Sequence, residues 1–232
     1  MKFSLSMASL NKKEILITAG STRGYIDVVR YITNTSTGKL GTEIALEAMR
    51  HDAVVTYIYG KDSLCPVIKN HAGIRPSQLK LMEIETNNDL IKILQKRLRG
   101  RRYDAIVHAM AIADYIPAKP KYNKIPSGKK ELIVKLVRTP KVISVIRNVW
   151  PDALLVGFKL EVNKTKEELI KIARGFLKRS KADMIIANDY KNISRSRHTA
   201  YMISNACHKP GTLKNKKEIA KGIILYLEKI LK

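Results

Sequence analysis

The sequence predicts an α/β protein with a Rossmann-like three-layer fold, in which a mainly parallel sheet lies between two layers of helices. Short apolar runs alternate with helix-like stretches, as in strands joined by crossover helices. The first apolar run ends in a glycine loop, and such loops meet ligands in these folds. With 232 residues, the chain is long enough for one sizeable core. We therefore expect a single domain over residues 1–232.

The predicted elements follow from the pattern of apolar residues. Apolar runs of strand length occur at 15–19, 54–59, 79–84, 105–109, 154–158 and 184–187. Helix-like periodicity occurs at 42–50, 88–99, 142–148 and 166–178, and at 218–231 as a closing amphipathic helix. Segment 131–138 (ELIVKLVR) alternates apolar and polar residues, and a similar excursion is expected at 121–125. Together they predict a flap or strand excursion near residues 119–138 that protrudes from the main sheet.

The chain is strongly basic, with 44 Lys and Arg against 20 Asp and Glu and a formal charge of +24. Such a charge favours polyanions, so nucleic acid has to be considered. However, the basic residues are spread along the chain, aromatic residues for stacking are few, and no nucleic-acid motif is visible. A solvated basic surface explains the pattern better. We expect no nucleic-acid ligand.

Other composition features limit the class further. Cys65 and Cys207 are the two cysteines, too few for a disulfide framework, and both are predicted to be free thiols. No apolar run approaches the roughly 18 residues of a membrane span. The segment at the start, MKFSLSMASL, is too short for a clear signal peptide. We expect a cytoplasmic protein that does not associate with membranes.

The segment 15–41 carries two candidate anion-binding turns. A glycine loop at Gly20 follows the first strand, and residues 34–41 (NTSTGKLG) open the first helix with hydroxyls and free backbone amides. Both features suit a phosphate or carboxylate. Asp114 follows the strand at 105–109, where ligands bind in α/β folds, although an Asp there can also simply cap a turn. The basic segment 119–130 has the composition of a flap, or of an exposed loop.

Several common sites are disfavoured. Tyr115 and Lys119 have the spacing of a short-chain reductase pair, but Pro117 between them disfavours the shared helix that this pair requires. The third glycine of a dinucleotide fingerprint is also missing. The five histidines show no metal-ligand spacing, and neither a nucleophile elbow nor a P-loop occurs. We therefore expect no protein-held metal, and any nucleotide must bind at another type of phosphate site.

Six segments, in order, resemble phosphopantothenate-cysteine ligase, also called phosphopantothenoylcysteine synthetase. They are TAGSTRGYIDVVRYITNTSTGKLG, AIADY, the pair Lys124-Ile125, LVRTPKVI, LVGFKLE and DMIIANDY. The resemblance covers about residues 14–204. It is specific as a combination, whereas each short piece alone would be weak.

The resemblance implies an enzyme of coenzyme A biosynthesis that joins cysteine to phosphopantothenate through an acyl-nucleotidylate. Microbial relatives use CTP and eukaryotic ones ATP, and we expect CTP here. Mg²⁺ would accompany the nucleotide triphosphate, and no flavin is expected. Family members are homodimers, and the edge at 132–137 is a plausible pairing surface. The flavin-dependent decarboxylase domain of many microbial fusions is absent from this sequence, so we expect the decarboxylase to be a separate protein.

The resemblance also assigns residues. Asn34 would handle the acyl-nucleotidylate and Lys124 would neutralise charge at the α-phosphate, so both are expected to be catalytic. The expected nucleotide contacts, besides Lys124, are His108, Ala109, Met110, Asp114, Pro140, Lys141, Val142, Ile143 and Phe158. The expected cradle for substrate phosphate or triphosphate consists of Gly20, Ser36, Gly38 and Gly41.

The sequence departs from the family at several positions. Phe176 and Ser180 stand where bacterial relatives carry two nucleotide-linked lysines, and either Lys178 or Lys181 is an alternative cation. Gly24 stands where many relatives have Glu. With the charge of +24, these departures leave a second hypothesis open: a non-catalytic, basic nucleotide- or nucleic-acid-binding protein on the same fold.

Overall fold

The computed structural model describes residues 10–194, 197–205 and 207–232, without the side chains of Asn70, Cys207, His208 and Lys209. The strands are β1 (Glu14–Ala19), β2 (Arg23–Tyr25), β3 (Tyr31–Thr33), β4 (Val54–Gly60), β5 (Leu79–Ile84), β6 (Ala105–His108), β7 (Tyr115–Pro117), β8 (Leu136–Arg138), β9 (Leu154–Glu161), β10 (Met184–Ile193), β11 (His198–Ser204) and β12 (Cys207–Leu213). The helices are α1 (Lys39–Arg50), α2 (Asn87–Lys92), α3 (Val142–Val149), α4 (Lys166–Ser180) and α5 (Lys216–Ile230).

Eight strands form the main sheet in the order β5-β4-β1-β6-β9-β10-β11-β12. The first six in this order are parallel, and β11 and β12 extend the sheet through antiparallel pairing. The chain runs outward from β1 to β5 and then returns to β6 on the other side of β1. This reversal creates a crevice at the carboxyl ends of β1 and β6, where open α/β sheets bind ligands.

Two apolar clusters hold the three layers together. On one face of the sheet, α1 and α5 pack through residues such as Ile44 and Ile223 against Ile17 and Val156. On the other face, α2, α3 and α4 cover Leu16 and neighbouring strand residues. The sheet is apolar on both faces because helices cover both, as in parallel sheets generally.

The predicted Rossmann-like fold is confirmed, with all six expected strands and all five expected helical regions present. The helix expected at 88–99 is α2 followed by a π-helical turn at Ile93–Arg97. Sequence analysis missed β11 and β12, because their polar residues obscure the apolar alternation.

The predicted strand at 131–138 is mostly wrong. Only β8 forms a strand, in a separate two-stranded sheet with β7, and residues 131–135 and 121–125 have no regular structure, although the Ala118 amide donates a hydrogen bond to Lys135 O. Leu132 and Ile133 are exposed. Alternation at 131–135 therefore does not correspond to a buried face, since a strand forms only where β7 offers a partner.

Three further features concern the cysteines, the length of the helices and possible metal ligands. Cys65 is a free thiol, and the side chain of Cys207 lies outside the described residues. Within the described ranges, no helix is both long and apolar enough to cross a membrane. Nor do the described His, Cys, Asp and Glu residues form a group of three that could hold a metal ion.

Candidate functional site

The loops after β1 and β6 are joined into one floor at the carboxyl edge of the sheet. The amide of Ala111 donates to Gly20 O at 2.8 Å, and the amide of Thr22 donates to Ala111 O at 3.3 Å. Gly20 has φ +80°, and a Cβ there would overlap the Ser63 side chain. Glycine is therefore required by both backbone conformation and space. The expected phosphate-loop residue Gly20 thus lies at the crevice where the strand order reverses.

Two threonines fix the segment that carries Asp114. Thr22 Oγ1 accepts from the Ala113 amide at 3.1 Å, while Thr139 Oγ1 donates to Ala113 O at 2.8 Å. The Thr139 amide adds a bond to Asp114 O at 2.9 Å. With its backbone held, Asp114 presents a half-exposed carboxylate that accepts from Lys141 Nζ at 2.6 Å. Two expected nucleotide contacts, Asp114 and Lys141, therefore pair with each other in this structure.

Asn34 lies beside the same segment. Its Nδ2 donates to Ile112 O at 2.9 Å, and its side chain is otherwise exposed to solvent at the strand ends. The preceding Thr33 donates through Oγ1 to Thr22 O at 2.9 Å, which ties the end of β3 to the loop after β1. The expected catalytic amide is therefore anchored at the crevice beside the loops of β1 and β6.

The loop before α1 has the geometry of an anion cradle. Gly38 adopts a left-handed conformation, φ 77°, and caps the helix, whose first intrahelical bond runs from the Thr42 amide to Gly38 O at 3.0 Å. The amides before Thr42 therefore point out of the helix end, beside Ser36 and Thr37, and favour negative charge. Gly41 lies inside the first turn, and a Cβ there would overlap the Ala19 methyl group. Its role is close packing of α1 on β1.

The flap is attached to the body by Asp27. This fully buried carboxylate accepts from the amides of Val29, Arg30 and Ile125, at 2.9, 2.8 and 3.0 Å, and from Arg30 Nη1 at 2.8 Å. The Ile125 amide contributes most to holding the pKa of Asp27 below its ordinary value. Because Lys124 directly precedes Ile125, its exposed side chain is held close to the turn between β2 and β3.

His108 lies at the end of β6, buried beneath the crevice. Its Nδ1 lies 2.7 Å from Thr18 Oγ1, and burial lowers its pKa to about 4. The imidazole is therefore neutral at physiological pH. It serves as a hydrogen-bonding group, and not as a cation, at the expected nucleotide site.

The other expected nucleotide contacts lie around this edge on both faces of the sheet. Ala109 donates its amide to Thr18 O at 2.9 Å, and the side chain of Met110 is buried in the core. The group 140–143 forms the start of α3, whose Val142 and Ile143 are also buried. Phe158 packs on the opposite face, against the α1 and α5 cluster. The structure thus gathers these residues at one edge, with several of their side chains serving the core.

The positions of the missing helix lysines are also defined. Ser180 is buried and donates its hydroxyl to Phe176 O at 2.7 Å. Lys178 and Lys181 are exposed near the carboxyl end of α4, next to the start of β10 and thus away from the carboxyl edge. Lys159 of β9 is a cation next to Phe176: its Nζ lies 6.0 Å from the Phe176 ring centroid and 2.8 Å from Glu161 Oε1.

Sequence reasoning missed the residues that hold the site in place: Asp27, Thr22 and Thr139. Asp27 had a usable sequence signal, because an Asp side chain can accept from the backbone amides two and three residues later, as in an Asx-type turn. The threonines had none, since their partners are 26 to 91 residues away.

Comparison with known proteins identifies the family of this chain. Residues 10–231 match the family model described as the DNA/pantothenate metabolism flavoprotein C-terminal domain. A coenzyme A biosynthesis bifunctional protein CoaBC from Thermococcus kodakarensis is 35% identical over 223 residues, 96% of this chain and 53% of that protein. The chain thus spans about half the length of the curated relatives it matches first.

Two solved structures are also similar. The DNA/pantothenate metabolism flavoprotein from Streptococcus pneumoniae has a TM-score of 0.81 and 34% identity, covering 94% of this chain and 98% of that one. The C-terminal domain of a coenzyme A biosynthesis bifunctional protein CoaBC has a TM-score of 0.74 and 27% identity, covering 97% and 98%. The family match spans nearly the whole chain. The protein belongs to the DNA/pantothenate metabolism flavoprotein C-terminal domain family.

Proposed function

We propose that this protein ligates cysteine to phosphopantothenate in coenzyme A biosynthesis, using a nucleotide triphosphate. The observation that carries the proposal is that Asn34 lies at the crevice of β1 and β6, directly after β3. Lys124 is held beside the turn between β2 and β3, because Asp27 in that turn accepts from the amide of the next residue, Ile125. The relatives named for coenzyme A biosynthesis support the same conclusion.

The proposed reaction has two displacements. A carboxylate oxygen of phosphopantothenate attacks the α-phosphorus of the nucleotide, forming an acyl-phosphate bond and breaking the bond to pyrophosphate. The cysteine amine then attacks the acyl carbon, expels the nucleotide monophosphate and loses a proton as the amide forms. Activation is required because a carboxylate oxygen is a poor leaving group. Negative charge develops in both steps, and fixed donors and cations stabilise it.

Each expected catalytic residue has a distinct task. The ammonium of Lys124 neutralises charge at the α-phosphate, and its position next to the anchored Ile125 limits how far it can move. The amide of Asn34 donates to the acyl oxygen of the intermediate, exchanging its bond to Ile112 O for one to the ligand. Removing one such donor typically costs about 10²- to 10³-fold in rate.

The nucleotide is proposed to be CTP in preference to ATP, with Mg²⁺ carried on its phosphates. Asp114 accepts from a nucleotide hydroxyl or amino group, which frees Lys141 for the phosphates. Lys159 provides the cation that relatives carry on the helix, since its ammonium adjoins Phe176 on the carboxyl half of β9. The phosphates bind near Gly20 and the loop before α1.

The protein is also proposed to act as a homodimer through the β7–β8 hairpin. This hairpin carries exposed apolar side chains, including Tyr115, Leu136 and Val137. Light scattering of the purified protein should give about twice the monomer mass, and a shift to the monomer is expected for Val137→Glu.

The function is tested by pyrophosphate release with phosphopantothenate, cysteine and Mg²⁺, using CTP or ATP. We expect release that requires phosphopantothenate, favours CTP and falls at least 10²-fold in Lys124→Ala and Asn34→Ala. Lys129→Ala is the matched control, because it removes another exposed flap lysine. No release with either nucleotide, or equal activity in Lys124→Ala and Lys129→Ala, would contradict the proposal.

The second candidate is a non-catalytic nucleotide- or nucleic-acid-binding protein, favoured by the charge of +24. Its affinity for a polyanion should collapse between low and moderate salt, because binding would depend on counterion release. Steep salt dependence without pyrophosphate release would favour this candidate over the ligase.

A further inference from the structure

An unused polar group is buried near the amino end of α5. His198, at the start of β11, is only 6% exposed, and its Nδ1 is buried with no hydrogen-bond partner among the described residues. Its Nε2 lies 3.2 Å from Nδ2 of Asn188 in β10. Since the Asn188 amide donates to Nε2, the neutral ring carries its proton on Nδ1. Among the described residues this buried N–H donor therefore lacks an acceptor, which is costly unless a ligand supplies one.

The surroundings of His198 are cationic. Its backbone amide donates to Lys214 O at 3.0 Å, which places the ring beside the start of α5. Burial and the charge of Lys216 lower the pKa of His198 to about 4. Burial and the charge of Lys39 in turn lower the pKa of Lys216, with partial opposition from Glu43.

The two helices add to this charge. α1 and α5 pack together on the same face of the sheet, and both begin at its carboxyl edge. Lys39 and Lys216 are the first residues of these helices, where the helix dipole favours an anion. Side chains already accept from one amide at each end: Thr37 Oγ1 from the Lys39 amide at 3.4 Å, and Asn215 Oδ1 from the Glu218 amide at 3.0 Å. The ammonium groups of Lys39 and Lys216 repel each other unless negative charge lies between them.

We propose that Lys39, Lys216 and His198 form a subsite for a small oxyanion, either a phosphate monoester or a carboxylate. His198 Nδ1–H donates to one oxygen, and the two ammonium groups neutralise the charge. This deepens and rests on the proposed function, whose substrates carry both chemistries: the phosphate of phosphopantothenate and the carboxylate of cysteine. The subsite lies on the face of Phe158 and adjoins the loop before α1.

The first test measures binding of inorganic phosphate by calorimetry, which needs no ligase activity. Lys216→Met and His198→Phe should each weaken binding by about tenfold, equivalent to roughly 1.4 kcal/mol. His198→Asn restores a donor and should recover part of this loss. Lys217→Met is the matched control, because it removes an exposed lysine from the same helix end, and it should bind phosphate as the unaltered protein does.

The second test identifies the natural anion. Affinities of 4′-phosphopantothenate and pantothenate are compared in the unaltered protein and in Lys216→Met, and those of cysteine and cysteamine likewise. A tenfold loss confined to the phosphorylated compound assigns the subsite to phosphate, and one confined to cysteine assigns it to the carboxylate.

The subsite is refuted if the unaltered protein does not bind phosphate, or if Lys216→Met and Lys217→Met bind it equally. If the His198 variants do not fold, Lys39→Met and Lys216→Met still test the subsite by comparison with Lys217→Met, since neither lysine is part of the core. These results are independent of pyrophosphate release, so the subsite and the ligase can fail separately.

Discussion

Replacing Gly41 with Ala should destabilise the protein, although alanine normally favours a helix. Gly41 lies in the first turn of α1 against β1, and a Cβ there would overlap the methyl group of Ala19. It would also stand 3.6 Å from Ala19 Cα and 3.2 Å from the Tyr57 hydroxyl oxygen. Since Ala19 and Tyr57 are fully buried, α1 itself must move outward.

The expected magnitude is a balance of two terms. Glycine to alanine in a helix interior gains about 1 kcal/mol of helix propensity. Overpacking a close-packed core costs about 1–3 kcal/mol, and this contact is at the severe end because backbone must shift. We expect a net loss of about 1–2 kcal/mol in the free energy of unfolding, measured by urea denaturation, together with weaker binding of inorganic phosphate at the loop before α1.

A double-mutant cycle separates the two terms. In an Ala19→Gly background the overlapping methyl group is gone, so Gly41→Ala should become neutral or stabilising there. Gly128→Ala is the control, because no atom of the described residues, apart from its two chain neighbours, lies within 4 Å of a Cβ at that position. If Gly41→Ala stabilises the otherwise unaltered protein, or if Ala19→Gly leaves its effect unchanged, the close approach of α1 and β1 does not limit stability.

Two further predictions concern the flap and the buried histidine. Asp27→Asn should lower pyrophosphate release about tenfold and speed proteolysis within 119–130, because the Ile125 amide loses its ionised acceptor; an unchanged cleavage rate would show that other contacts hold the flap. His108 has a folded-state pKa of about 4 against an ordinary 6.5, so the unfolded chain binds more protons between these values and stability falls as pH drops from 6.5 toward 4. By pH 5 this loss amounts to about 2 kcal/mol, and urea denaturation should show that it is missing in His108→Gln. An equal pH dependence in both proteins would mean that folding does not lower the pKa of His108.

The parts of the site that are local in sequence could be predicted. Gly20 and Gly38 were identifiable because each terminates or opens an element within a few residues, and both have the left-handed backbone that only glycine adopts readily. Gly41 was placed in the same cradle, whereas its structural role is to let α1 approach β1. That distinction depends on Ala19, which lies 22 residues earlier on a neighbouring element.

Long-range pairing was not predictable from pattern alone. The flap was recognised by its lysines and prolines, but its attachment to Asp27 joins residues 98 positions apart. Alternation at 131–135 suggested a strand. A strand forms in this region only where β7 provides a partner, and β7 pairs only with β8. The polar strands β11 and β12 were missed for the converse reason, since they are specified by the neighbour they pair with.

The sequence by itself determined the layer architecture, because buried apolar runs alternating with amphipathic helices can be covered only by helices on both faces of a parallel sheet. It also placed glycine and hydroxyl residues at the strand and helix ends where anions bind. The tertiary structure alone decided which polar groups meet. It paired Asp114 with Lys141, buried Asp27 beneath the flap, and left the Nδ1 proton of His198, near the start of α5, without an acceptor among the described residues. These contacts depend on distances between elements far apart in the chain, and no local pattern of residues encodes them.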